Sequence, residues 1–205
     1  MPSIKGSIHN PELRQILNAD INLRQVAFMP IAPDPDWFKT SQTLTAGAST
    51  TLTTTSFTKA YCPGWPVAVT ALVVDDIAVT DFTAGSMVVI GVDQFGDTIT
   101  ETAAGVYTSG TGWAFTTLNA FQSLVSVAVT MTGTAGGAET LVIGFNKTYG
   151  FGCRIKAAAD VITKMFDGAA DAGTTSIPYN TYVVAGTPNA AKNLILLMRP
   201  GYYFT

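Results

Sequence analysis

The chain has 205 residues, of which 47% are apolar and only 12% are charged, with a formal net charge of −3. That length and apolar share support a real hydrophobic core and exclude dominant disorder. The small acidic surplus excludes charge-driven binding of nucleic acid, which needs clustered Lys and Arg to displace counterions, so neither DNA nor RNA is expected as a direct partner.

Residues Met1 to Asn10 hold no apolar stretch of the kind that a secretory leader needs, which implies synthesis in a cytosol. Asn10-Pro11-Glu12 then reads as an N-cap, a first-turn proline and a first-turn acid. Leu13, Ile16 and Leu17 follow on one face, which predicts a short helix. Pro30, Pro33 and Pro35 precede Trp37 and Phe38. Because proline fixes φ and removes a donor, this stretch is expected to be extended and to lie outside any sheet. The predicted organisation is therefore an N-terminal arm over 1–40 and a β-domain over 41–205.

Beyond Thr40 short apolar runs alternate with Gly, Asn and Asp punctuation, and 30 threonines raise the β propensity further. The run Thr50 to Thr55 reads as an exposed strand face rather than a glycosylated stalk. Ala68–Val74 and Ser86–Val92 have the length and continuity of strands buried on both faces. Further strands are expected at Thr98–Thr102, at Leu141 to Phe145, at Val161–Phe166, at Thr181–Val184 and at Asn193–Met198. In Leu124–Met131 the alternation puts Val125, Val127, Val129 and Met131 on one face, with Ser126, Ala128 and Thr130 opposite. The fold class is mainly β: an antiparallel sandwich or jelly-roll-like barrel carrying the extended arm with its short helix. Thr102 to Ala138 carries no charge, but its Thr, Ser and Gly content is wrong for a membrane helix, so no membrane is expected.

Catalytic chemistry finds little to work with. His9 is the single histidine, so a histidine-based triad or a zinc site would have to recruit it from the N-terminal segment. No catalytic residue, metal ligand or cofactor is assigned. Cys62 and Cys153 are read as buried free thiols, with one long-range bridge as the alternative. Asp93-Gln94-Phe95-Gly96-Asp97 lies between two strands and is read as a tight turn rather than a metal loop. Gly136-Gly137 and Gly150-Phe151-Gly152 lack the lysine of a phosphate loop. The aromatics near both ends, Trp37 and Phe38 and then Tyr202, Tyr203 and Phe204, either cap the chain's own core or contact a neighbouring subunit. Together with Pro30, Pro33 and Pro35 they form the candidate partner interface.

The segment Gly91-Val-Asp-Gln-Phe-Gly-Asp-Thr-Ile-Thr-Glu-Thr102 resembles one that recurs in structural proteins of tailed bacteriophages. There a strand ends at Gly-x-Asp or Gly-x-Asn, turns at Gly and resumes as an alternating Thr/Glu strand. Ala120-Phe121, Leu124 to Val129, Leu141-Val142-Ile143-Gly144 and Tyr149-Gly150-Phe151 extend the resemblance over about 68–155. The chain departs from the pattern at Gly150-Phe151-Gly152, where Gly-Leu-Pro is expected. The resemblance implies a virion component, a capsid decoration or cement protein without catalytic residues. Its implied partners are the major capsid protein or other virion subunits and further copies of itself. The alternatives are another virion part, such as a head-tail adaptor, a tail-tube or a fibre-base protein, and a carbohydrate-binding module or adhesin in which Trp65, Trp113 and tyrosines stack on sugars.

Overall fold

A computed structural model describes residues 23–43, 50–74, 82–109, 111–133 and 139–199. The predicted helix near Asn10, His9 and the aromatics Tyr202, Tyr203 and Phe204 lie outside the described residues, as does Gly136-Gly137. The described residues form a mainly β fold of curled antiparallel sheets, in keeping with a sandwich or barrel.

In chain order the strands are β1 (Arg24–Phe28), β2 (Asp34–Thr43), β3 (Thr50–Thr54), β4 (Val67–Val74), β5 (Phe82–Asp93), β6 (Thr98–Ala104) and β7 (Val106–Thr108). There follow β8 (Gly112–Gly133), β9 (Thr140–Gly150), β10 (Val161–Phe166), β11 (Ala169–Ala170), β12 (Thr174–Ser176), β13 (Thr181–Val183) and β14 (Leu194–Met198). A small sheet has the order β1-β14-β10-β11, and a large one runs β12-β13-β9-β4-β8-β5-β6. Strand β2 flanks β9, while β3 and β7 flank β8. The 22-residue β8 joins the two halves of the large sheet. It pairs with β4 up to Phe121 and with β5 from Phe121 onward. A strand that changes partner in mid-course bends the sheet, and the bend encloses a core.

One apolar cluster fills that core. Val67, Val69 and Val73 of β4, Met87 and Val89 of β5, and Leu141, Ile143 and Phe145 of β9 contribute to it from the large sheet. Leu194, Leu196 and Met198 of β14 contribute from the small one. The reading of β4 as a strand is reproduced, but burial on both faces is corrected, because Val69, Ala71 and Val73 are buried whereas Thr70 and Leu72 are half-exposed and Val74 is exposed. That of β5 is corrected, because Met87 and Val89 are buried whereas Val88, Ile90 and Val92 are half-exposed, so one face only is packed.

The face assigned to Val125 is also corrected. Ile90 faces Ser126 and Gly91 faces Leu124, so Val125 is the extra residue of a β-bulge and is 54% exposed. One added residue flips the face, so Leu124 points inward before the bulge, and Val127, Val129 and Met131 do so after it.

A second bulge in β8 replaces ladder bonds with side chains. Between its pairings with Ala68 and Thr70 the strand slips, and the Thr117 hydroxyl accepts from Val69 N (2.9 Å) and donates to Asn119 O (3.0 Å). On the other side the Glu101 carboxylate of β6 accepts from Leu118 N (2.6 Å) and Asn119 N (3.0 Å). Side chains thus satisfy the N–H groups of Val69, Leu118 and Asn119 where the ladder is interrupted.

The expected arm is corrected for residues 24–40. Strand β1 pairs with β14 from Arg24–Met198 to Phe28–Leu194, and β2 pairs with β9. Val26 and Phe38 lie in the common core, where full burial of such side chains stabilises by about 1.5–3 kcal/mol each. Proline is tolerated because β2 is irregular and lies beside β9 away from β4. Its register jumps between Asp34 and Lys39, so Pro35 owes no ladder bond. The backbone of Asp34 and Pro35 presses on Gly144, where even a Cβ would collide with Asp34 O and the Pro35 carbonyl. Glycine is required there for close approach of the two strands.

Candidate functional site

The turn between β5 and β6 follows its residues. The Asp93 carboxylate accepts from Phe95 N (2.8 Å) and Asp97 N (2.9 Å), and Asp93 N donates to Asp97 O (2.8 Å). Gly96 takes φ +91°, a conformation that glycine adopts without strain. The reading of 93–97 as a turn rather than a metal loop agrees with this geometry.

That turn aims Gln94 inward, to 6% exposure. Its amide donates to Tyr179 O (2.8 Å) and Asn180 O (3.1 Å), and its carbonyl accepts from Gly152 N (2.9 Å). Asn180, held in the left-handed region at φ 51°, accepts from Ile155 N through Oδ1 (2.8 Å) and from Phe151 N through its backbone oxygen (3.0 Å). Two buried amides therefore pin the Gly150-Phe151-Gly152 loop to the β5–β6 turn.

Above this floor lies a cleft of about 440 Å³ where β1 meets the large sheet, lined by Arg24, Tyr61, Trp65, Gln94, Gln122 and Gly152 among others. Each wall is braced. Arg24 donates to Gly152 O (2.9 Å), and Trp65 Nε1 donates to Gly150 O (2.5 Å). Phe28 stacks on the Trp65 indole at 4.4 Å and 9°. Tyr61 bridges Ser123 of β8 through the backbone and is 76% exposed. Gln122, exposed on β8, donates to Gln94 O (3.3 Å).

Cys62 also lines the cleft, but burial pushes its thiol up to about 12 and its Sγ–H donates to Phe121 O (2.7 Å). Burial raises Cys153 as well, against the opposing effect of Arg24. Both cysteines are free thiols, and neither is activated as a nucleophile. Among the described residues, no three His, Cys, Asp or Glu side chains group as metal ligands do, and no helix is long and apolar enough to cross a membrane.

The candidate interface residues are dispersed. Pro30 is buried, and its carbonyl accepts from Ala190 N (2.9 Å). Phe38 is fully buried and unavailable to a partner. Trp37 is half-buried, edge-on to Phe145 at 5.8 Å, covered by Lys59 Nζ at 3.5 Å and donating to Tyr61 O (3.1 Å). Pro33 and Pro35 are exposed. Of the tryptophans weighed for sugar stacking, Trp65 reaches the cleft, whereas Trp113 packs against Tyr107 at 5.4 Å. Sequence reasoning missed Arg24, Gln94 and Gln122. Only Gln94 had a local signal, its place inside a recognisable turn.

No family model matches the chain, nor does any curated protein or solved structure.

Proposed function

We propose that the chain is a structural component of a tailed-phage virion, a decoration or cement protein that docks on the capsid shell and stabilises it. The observation that supports this reading is where the resembling residues fall. The segment 68–155 spans β4 to β9, the strands that build most of the large sheet and its core, with the Gly-x-Asp turn at the tip of the β5–β6 hairpin. The resemblance thus follows consecutive strands of one sheet rather than scattered loops, with β2, β3, β12 and β13 of that sheet outside it. On this reading the curled sheets form a jelly-roll-like module. Its partners are the major capsid protein and further copies of the chain, and it works in the virion after synthesis in the host cytoplasm.

The anchoring role of Trp37 and Phe38 passes to other groups, since both are committed to intramolecular packing. Exposed apolar side chains such as Leu118 (53%) and Val106 (66%), together with Pro33, Pro35 and the C-terminal aromatics, are the groups assigned to the shell. The test is immunoelectron microscopy of purified virions of the encoding phage with antibody against this chain. Regular labelling of the head is expected. Label confined to neck or tail would replace the decoration reading with an adaptor or tail component, and its absence from virions would overturn the virion reading.

A further inference from the structure

We infer that the cleft between β1 and the large sheet is a binding site for an acidic saccharide, a pyranose bearing a carboxylate. Its volume, about 440 Å³, falls within the range of small-ligand sites and suits a mono- or disaccharide. Two aromatic residues line it: Trp65, fixed by a hydrogen bond and a stacked Phe28, and Tyr61, which is 76% exposed. Aromatic faces of this kind accept the C–H side of a pyranose. Gln122 on the rim supplies an amide for hydroxyl groups.

The charge balance selects the sugar. Among the described residues, Arg24 is the one charged side chain lining the cleft, and its guanidinium is oriented by the Gly152 carbonyl at 2.9 Å. A planar fork of donors so placed favours a carboxylate on the ligand. A polyanion is disfavoured, because the chain as a whole carries −3. The floor is already assembled: Gln94 makes three hydrogen bonds to backbone groups, so little ordering remains to oppose binding. This inference is independent of shell docking, and either can fail without the other.

The experiment is an NMR titration of the full chain with methyl glucuronide and, separately, with methyl glucoside. The expected result is saturable shifts at the Trp65 indole N–H and the Gln122 side-chain amide with the glucuronide, and far weaker shifts with the glucoside. Tyr61→Ala, at a site with few neighbours, should weaken glucuronide binding by on the order of tenfold while leaving the melting temperature unchanged. Arg24→Gln should abolish the preference for the acidic sugar. No shift at tens of millimolar of either sugar would overturn the site. Equal response to both sugars would overturn its acidic specificity, and undiminished binding by Tyr61→Ala would overturn the placement in this cleft.

Discussion

Val125 and Val127 differ by one turn of the alternation yet stand in opposite environments, the first 54% exposed at a bulge and the second fully buried. Val127→Asp places an unpaired charge in apolar packing and should cost several kcal/mol, a large share of the roughly 5–15 kcal/mol that holds a domain together. Val125→Asp should stay within about 0.5–1 kcal/mol. Urea unfolding of the two variants checks the bulge directly, since comparable losses would return Val125 to the core face. Cys62 provides a second residue-level expectation. Burial raises its thiol to about 12, so the proton is held more tightly in the folded state. Its contribution to stability is complete below the ordinary thiol value and is lost as pH rises toward about 12. In the native protein at pH 8, Cys62 should resist iodoacetamide and react only after unfolding, as peptide mass mapping would register.

Among the elements, the bulged middle of β8 depends on two side chains. Thr117→Val keeps the shape but leaves Val69 N–H buried without an acceptor, an expected loss of about 1–3 kcal/mol in chemical denaturation. The strands β11 to β13 are tied by Asp171. Burial opposes ionisation of its carboxyl, but hydrogen bonds from Tyr182 Oη (2.6 Å) and from the backbone N–H groups of Ala185 (3.1 Å), Gly186 (3.3 Å) and Gly173 (3.2 Å) prevail and hold it below the usual carboxylate range. A lowered value stabilises the fold above the ordinary carboxylate pKa of 3.8, and that stability is lost as pH falls through the folded-state value. Asp171→Asn should therefore flatten the acid limb of the stability profile, measured as melting temperature between pH 6 and pH 2.5. An unchanged acid limb would remove Asp171 from this role.

For the whole molecule, residues 24–40 of the segment read as an arm are part of the body. Val26 and Phe38 join the core, and β1 closes one side of the small sheet. A chain starting at Thr40 loses both side chains and all of β1, and should be insoluble or molten rather than folded. Amides of Val26 and Phe38 should exchange slowly, in contrast to the rapid exchange expected of a free arm. Folding of the shortened chain to a cooperative, undiminished transition would restore the arm. At the same scale, Gly144→Ala should separate β2 from β9 and lower the melting temperature, because Asp34 O and Pro35 leave no room for a methyl group.

The β class, the strands at β4, β6, β9, β10, β13 and β14, and the Asp93–Asp97 turn were legible in the sequence. Their signals are local: side-chain period, β-branched content, and the need for Asp and Gly where the backbone reverses. The role of β2 was not legible, because proline argues against a strand until its partner is known, and that partner, β9, lies far along the chain with Gly144 placed to receive it. The bulge at Val125 was hidden for the same reason. Alternation within β8 says nothing about the register of β5 opposite. The cleft was the least legible of all, since Arg24, Tyr61, Gln94, Gln122 and Gly152 come from five separate stretches of chain. Local chemistry determined which residues form strands and turns. Only the tertiary structure decided which strands pair, which faces are covered and which side chains meet, because hydrogen-bond partners and burial depend on residues distant in sequence.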